Sequence, residues 1–334
     1  MSKITYLLKR ISKMNYGAMF ETVNKVHEKN NKNKIGIFFD IVGCGLKYQA
    51  GYVDYYLFEM YKMNKKERKT VVTRGINNKI IKQVNDMTQA YKFEDKALFN
   101  KLFDKYMNRE WIYLEDPETT LEDFKKYLKD KKEVIVKPLS LSCGKGVEKL
   151  SVKEYKTEDL YNKLLETKQT LVEDVATQHK VINDIYPHSV NTLRIVTLNK
   201  HVVQAFLRIG NHGNVVDNFN NGGMVTTIDI ESGEIKFPAI DKSGNVFDTH
   251  PMTKEKIVGT KIPMWEDVKN LCIEACDVIP EIGYIGWDVC LGPDKPFLIE
   301  GNDFPGHDLY QLPVHRNDNY GVLPIFEEAM KEGK

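Results

Sequence analysis

Gly286-Trp287-Asp288 and, after a short turn, Leu298-Ile299-Glu300-Gly301-Asn302-Asp303-Phe304-Pro305-Gly306 are the stretches that decide how this chain is built. Asp288 ends an apolar run, and the pattern predicts strands over 284–291 and 296–301. Glu300 and Asn302 lie two apart, so both side chains leave one face of their strand. Antiparallel pairing would bring Asp288 beside them. Two carboxylates and an amide oxygen at strand level form a hard-cation donor set. Mg²⁺ takes one or two protein carboxylates and leaves its other positions to phosphate and water. The alternative, a pair of solvated edge carboxylates, sits poorly with the apolar frame of Ile285, Trp287, Val289, Phe297, Leu298 and Ile299, because buried charges need partners.

Three further segments can carry chemistry. Glu133-Val134-Ile135-Val136-Lys137-Pro138 reads as a short buried strand that delivers a lysine, and it runs into the loop Ser140 to Val147. Gly144 and Gly146 would let that loop close its backbone N–H groups over phosphates. The pattern is not G-x-x-x-x-G-K-[ST], so alone it is weak support for a nucleotide. Arg194 and Arg208 fall on neighbouring predicted strands, where each would clamp a carboxylate or phosphate, or else serve a structural ion pair. Asp217-Asn218-Phe219-Asn220-Asn221-Gly222-Gly223 reads in isolation as a loop.

Around these segments the chain reads as mixed α and β. A helix is expected over about 3–29, then an apolar run at 35–39, a loop punctuated by Gly43, Gly45 and Gly51, and aromatic residues from Tyr52 to Tyr61 at partly helical spacing. Helices are expected over 95–108, 119–130 (capped by Asp116 or Thr119), 154–167, 265–279 and 321–332. Strands are expected over 148–151, 169–175, 190–199, 202–209, 224–230 and 233–237. Consecutive antiparallel strands with few intervening helices exclude a Rossmann domain, and Gly43-x-Gly45 lacks the third glycine of its fingerprint. Two α+β units sharing a cleft fit better.

Composition narrows the class. The chain has 334 residues, 42% hydrophobic and 28% charged, ordinary for a globular protein. No stretch approaches a membrane span, and no signal peptide is evident. Five cysteines make no disulfide framework and read as reduced thiols of a cytoplasmic protein. Cys272 and Cys276 share a helix face as buried small hydrophobes rather than a zinc site, and Cys143 has no adjacent histidine to activate it. Residues 1–136 hold 27 Lys/Arg against 18 Asp/Glu, and the remainder 21 against 29. The basic front half suits a polyanion, a nucleotide or a membrane surface, or is a solvated lysine-rich face. Lys3, Lys9, Arg10 and Lys13 among Ile4, Leu7, Leu8, Ile11 and Met14 make a basic amphipathic stretch that would pack on its own domain or touch a membrane peripherally, without stable insertion. His250, His307 and His315 would line a substrate pocket or sit in loops.

Taken in order, the lysine strand, glycine loop, Leu171-Val172-Glu173-Asp174-Val175, two Arg strands, Asn-x-x-x-Gly-Gly, Gly-x-Asp and Glu-x-Asn-x-x-Pro-Gly resemble the ATP-grasp superfamily. The order is similar to that of α-L-glutamate ligases. The segments Ser189 to Arg194, Val216-Asp217-Asn218, Thr249-His250-Pro251, Ile262-Pro263-x-Trp265 and Gly286-Trp287-Asp288 resemble the sugar-transfer-associated ATP-grasp family. The resemblance covers about 91–313; before it, only the spacing of Asp40, Asp54-Tyr55 and Phe58 matches loosely.

The resemblance implies an α+β ATP-grasp fold over 91–334, with subdomains of about 91–170 and 171–334 clasping ATP, behind a mainly helical region 1–90. It implies that Lys137 and Lys96 contact the α- and β-phosphates, and that the loop with Ser142, Gly144 and Gly146 covers them. Backbone at Glu173, Asp174 and Val175 would bond adenine. Asp288, Glu300 and Asn302 would hold Mg²⁺ or Mn²⁺. Arg194, Arg208 and Asn218 would serve the reacting groups. Where ligases of this kind place a ribose-binding Glu, position 180 is Lys, and Asp174 or Gln178 would have to substitute. The implied activity is an ATP-dependent carboxylate–amine ligase forming a C–N bond through an acyl phosphate, in cell-surface polysaccharide or peptide-like metabolite synthesis. Its partners would be small-molecule or saccharide-linked carboxylates and amines, not nucleic acid. The competing reading keeps ATP and phosphorylates a hydroxyl, with Asp303 or Asp308 as base. A non-catalytic nucleotide-binding scaffold is disfavoured by the intact Asp288/Glu300/Asn302 set.

Overall fold

The computed structural model describes residues 15–139, 145–214 and 216–332. The basic stretch 3–14, Ser142, Cys143 and Gly144 therefore lie outside the described residues. The chain divides into two compact units. One runs to Ile80 and takes back Gly306–Pro324; the other holds Ile81–Pro305 and the chain from Ile325 onward.

The first unit is helical. Helix α1 (Tyr16–Asn30) starts on the Asn15 side chain and helix α2 (Lys34–Tyr48) on that of Asn33, which accepts from the amides of Ile35 and Gly36. The loop expected at 43–51 is thus mostly helix, with Gly43 and Gly45 inside α2. Burial of Ile37, Ile41 and Cys44 at helical spacing outweighs the roughly 1 kcal/mol that each interior glycine costs. These residues pack with Met19, Val23, Val26, Tyr55, Phe58 and Tyr61. Asp40 is bound bidentately by Arg68 at 2.6 and 2.7 Å and accepts from the Tyr55 hydroxyl at 2.7 Å. Asp54 accepts from the amides of Gly51 and Arg74 and faces His307 at 2.9 Å.

The second unit holds two antiparallel sheets. The smaller contains β1 (Trp111–Tyr113), β2 (Glu133–Lys137), β3 (Glu148–Ser151) and β4 (Leu171–Asp174), in the order β1-β4-β2-β3. Val134 and Val136 bury one face against Phe124, Leu128, Leu160 and Leu164 of the helices Leu121–Leu128 and Thr157–Glu166. That leaves Ile135 and Lys137 on the other face. The helix expected from Asp116 or Thr119 is capped by Thr120, which exchanges bonds with Asp123; Asp116 turns its carboxylate to the amide of Glu118 instead. The helix expected over 95–108 stops as Lys96–Leu102, followed by a single 3₁₀ turn at Asp104–Tyr106.

The larger sheet contains β5 (Leu193–Leu198), β6 (His201–Ile209), β7 (Met224–Thr227), β8 (Ala239–Asp241), β9 (Val246–Phe247), β10 (Tyr284–Leu291) and β11 (Pro296–Asn302). Their order is β11-β10-β5-β6-β7-β8-β9. Leu193, Ile195, Ala205, Leu207, Trp287 and Val289 bury one face against Val268 and Cys272 of the helix Trp265–Ala275, so Cys272 serves as a core residue. Trp287 is fully buried and donates to the Thr197 hydroxyl at 3.0 Å. The strand expected at 233–237 is absent. Ser232 bonds back to Asp229, and Ile235 exchanges backbone bonds with Gly259 and Thr260, so this segment pairs with a turn instead of a strand.

Candidate functional site: a row of charge across the larger sheet

Register builds the site. In β10–β11 pairing Asp288 lies opposite Glu300 and Gly286 opposite Asn302; in β10–β5 pairing Asp288 lies opposite Arg194. Arg194, Asp288 and Glu300 therefore form one row across three strands, on the face away from the Trp265–Ala275 helix. Gly286 keeps that row open: a Cβ there would come within 3.2 Å of Arg194 Nη1.

Two arginines converge on Asp288. Arg194 donates through Nε at 2.5 Å and Nη2 at 2.9 Å, and Arg208 through Nη1 at 2.8 Å. Burial opposes the Asp288 charge, but Arg194 and then Arg208 overcome it and hold the carboxyl at about 2. Glu300 moves the other way: crowding by the protein raises its pKa and the neighbouring Asp288 raises it further, because two adjacent carboxylates resist ionising together. Glu300 is nevertheless exposed by surface area.

Arg208 also reaches Asp217 at 3.2 Å, and Asp217 accepts from the amide and hydroxyl of Thr192 at 2.8 and 2.5 Å. Sequence reasoning singled out Asn218, but its side chain accepts from the Asn220 amide at 2.8 Å and caps the short turn Phe219–Asn221. Its neighbour Asp217 is the residue brought to Arg208. Both lie in the quoted Asp-Asn segment.

The smaller sheet contributes a second charged group. Glu173, buried on β4, accepts from Arg109 Nε at 2.9 Å, Lys137 Nζ at 2.6 Å and Asn100 Nδ2 at 2.9 Å. Burial disfavours its charge, yet Arg109 and then Lys137 hold the carboxyl well below the usual range. Arg109 also donates to the carbonyls of Leu298 and Ile299 at 2.7 and 3.1 Å, just before Glu300 on β11. No motif marks Arg109 or Asn100, and sequence reasoning missed both. Lys96 opens its helix, donates to the Leu139 carbonyl at 3.1 Å and feels Glu300; desolvation lowers its pKa. Lys137 and Lys96 thus both act electrostatically on Glu300.

The remaining candidates are placed as follows. Gly146 has φ +70°, a left-handed conformation that favours glycine, and its carbonyl accepts from Gln169. The Asp174 carboxylate is occupied by Tyr127 and Lys131, and its amide donates to the Glu110 carbonyl. Half-buried Val175 follows directly after β4. Gln178 spends its amide on the Ser189 carbonyl and the Asn191 amide, so Asp174 and Gln178 both hold the fold here. His250 bonds the Gly210 carbonyl, and His307 bonds Asp54. Cys44, Cys272, Cys276 and Cys290 are buried thiols.

Among the described residues no three His, Cys, Asp or Glu side chains converge on a metal position. The donors at hand are two opposed carboxylates and the Asn302 amide, whose Oδ1 also accepts from the Phe304 amide at 2.9 Å. Glu300, raised by burial and by the adjacent Asp288 carboxylate, is the kind of group a divalent cation would stabilise, so the set fits Mg²⁺ or Mn²⁺. Two open grooves, of about 560 Å³ beside Trp265 and about 860 Å³ beside Trp111, include none of Asp288, Glu300 or Lys137. Charge and register, not concavity, locate the site.

The family model described as sugar-transfer associated ATP-grasp matches residues 75–317. No curated protein matches this sequence. Among solved structures, the ATP-grasp ligase PsnB complexed with minimal precursor is 12% identical at a TM-score of 0.44, covering 75% of this chain and 63% of that one. The chain thus spans under two thirds of that ligase. D-cycloserine synthetase DcsG is 11% identical at 0.44, covering 75% and 74%. D-alanine–D-alanine ligase from Bacillus anthracis is 13% identical at 0.43, covering 77% and 76%.

Proposed function

This chain belongs to the sugar-transfer-associated ATP-grasp family, and from that membership we propose that it is an ATP-dependent carboxylate–amine ligase working through an acyl phosphate. The observation that carries the reading is the register of Asp288 against Glu300 on one side and Arg194 on the other. It supplies anionic oxygens for a cation and guanidinium groups for an anion within one row.

Asp288, Glu300 and Asn302 would hold Mg²⁺, which when bound neutralises phosphate oxygens and aligns phosphoryl transfer. Lys137 and Lys96 place ammonium charge toward Glu300, where they would meet the α- and β-phosphates, with the loop at 140–147 over them. Of the segment Glu173 to Val175, Val175 just past the paired residues of β4 would bond adenine through its backbone. A substrate carboxylate oxygen would take the γ-phosphoryl group as ADP leaves. An amine would then attack the acyl carbon, phosphate would depart, and the amine would lose a proton. Arg194 and Arg208 would stabilise the charge that builds on phosphoryl and carbonyl oxygens. Saturating part of their donor capacity on Asp288 fixes both forks before substrate arrives.

The setting we infer is cytoplasmic synthesis of a cell-surface polysaccharide or a peptide-like metabolite. Among the described residues no helix is long and apolar enough to cross a membrane. One observation favours phosphorylation of a hydroxyl instead: burial raises the pKa of Asp303, as a general base requires. An ADP-release screen over amino acids, uronic acids and amino sugars decides between them, with mass spectrometry of the product. Release that requires both a carboxylate and an amine supports the ligase; release with an alcohol alone overturns it.

A further inference from the structure

The two compact units differ in charge. Residues 1–80 and 306–324 hold 17 Lys/Arg against 8 Asp/Glu, a net of +9, and the remainder holds 31 against 39, a net of −8. The near-neutral total conceals this.

Within the basic unit, α2 is apolar on two sides. Ile37, Ile41 and Cys44 belong to the core. Ile35, Phe39 and Leu46 point outward, 68%, 67% and 56% exposed. Half-buried Val42 completes a 35/39/42/46 spacing that belongs to one helix face. The stripe continues onto α1, where Phe20, 54% exposed, stacks on Phe38 at 5.8 Å; Phe38 meets Phe39 edge-on at 5.5 Å. Exposed apolar residues scattered singly are ordinary, whereas a contiguous stripe marks a contact surface. Exposed Lys34 and Lys47 bracket it at the two ends of the helix. The one acid of α2, Asp40, is bound by Arg68 and Tyr55, so its charge is already compensated.

We propose that this stripe is a membrane-surface contact, on which α2 lies along an anionic bilayer. Ile35, Phe39 and Leu46 enter the boundary between headgroups and acyl chains, and Lys34 and Lys47 meet lipid phosphates. The net +9 of the unit supplies attraction to an anionic leaflet, and the branched aliphatic members Ile35, Val42 and Leu46 supply apolar contact that a phosphate backbone could not use.

Vesicle co-sedimentation of the full chain tests this, with phosphatidylcholine alone and with phosphatidylcholine mixed with phosphatidylglycerol. Retention on the mixed vesicles that weakens with salt is expected. The double variant Phe39→Asp with Leu46→Asp should cut partitioning by about tenfold or more, with unchanged circular dichroism and unfolding midpoint. Met87→Glu, which replaces an exposed apolar residue of the other unit, should change nothing. No retention on anionic vesicles overturns the proposal. So does equal retention of the double variant, which assigns the contact to another part of the chain. A dimer that the double variant dissociates, with no vesicle binding, also overturns it and gives the stripe to a second copy.

Discussion

Glu173 on the smaller sheet and the Asp288–Glu300 pair on the larger one are both carboxylate sites in apolar frames, yet they are balanced oppositely. Glu173 is one anion between two cations, Arg109 and Lys137, with Asn100 completing its shell. Asp288 and Glu300 are two anions, and both arginines bond to Asp288. The result is one carboxyl pushed down and the other pushed up. A charge-complete group holds structure together. Two adjacent carboxylates, one raised by the other, gain from an added cation.

The comparison breaks first if stability does not follow it. Glu173→Ala should leave Arg109 and Lys137 as buried charges without their anion. A cost of about 3–5 kcal/mol is expected, read as a lowered midpoint in denaturant unfolding. Should the midpoint hold, the Glu173 group is not structural and the contrast fails.

Glu300→Gln should do the reverse. Its folded pKa is raised, so above the ordinary glutamate range the folded state carries an unfavourable ionisation that the amide removes. Unfolding midpoints should stay level or rise while ADP release falls by about 10²–10³-fold. Wild-type turnover in this variant would remove the cation site from the larger sheet.

Arg208→Lys sharpens the arginine half of the site. Lysine keeps the charge but loses the fork that reaches Asp288 and Asp217 together. A kcat loss of about 10²–10³-fold with little change in KM for ATP is expected if the fork serves the transition state. A change confined to KM would make Arg208 a nucleotide-docking residue.

The smallest expected effect is on pH. A cation must displace the proton that a raised Glu300 retains, so Mn²⁺ affinity should weaken as pH falls through that range, by up to about tenfold per unit for one proton. Calorimetry in two buffers of different ionisation heat would register the released proton. Affinity independent of pH would mean that Glu300 is already ionised.

Much of the site was legible because it lies on two neighbouring strands. The strands expected at 284–291 and 296–301 are found at Tyr284–Leu291 and Pro296–Asn302, and the hairpin sets Asp288 against Glu300. Arg194 was legible beside Arg208 on the β5–β6 hairpin, but not as a partner of Asp288, which lies 94 positions away. Lys137 and Glu173 were both noticed, but under separate roles; β2–β4 pairing sets Ile135 against Glu173 and turns the two into an ion pair. Arg109 precedes a three-residue strand and carries no periodic signal, so only the approach of β11 reveals it. In α2, Gly43 and Gly45 suggested a loop because glycine is a poor helix former, and burial of Ile41 and Cys44 overrode that local preference.

The sequence by itself determined the alternation that makes these strands, the residue types that can hold a cation or an anion, and the family to which their order belongs. Those properties rest on local periodicity and on spacing along one chain. Only the tertiary structure decided which charges meet. Arg208 and Asp288 are eighty positions apart, and Arg109 and Glu173 sixty-four. Strand order places them within a few ångströms, and the arginines on Asp288 then hold that carboxyl ionised while the Asp288 charge pushes Glu300 up.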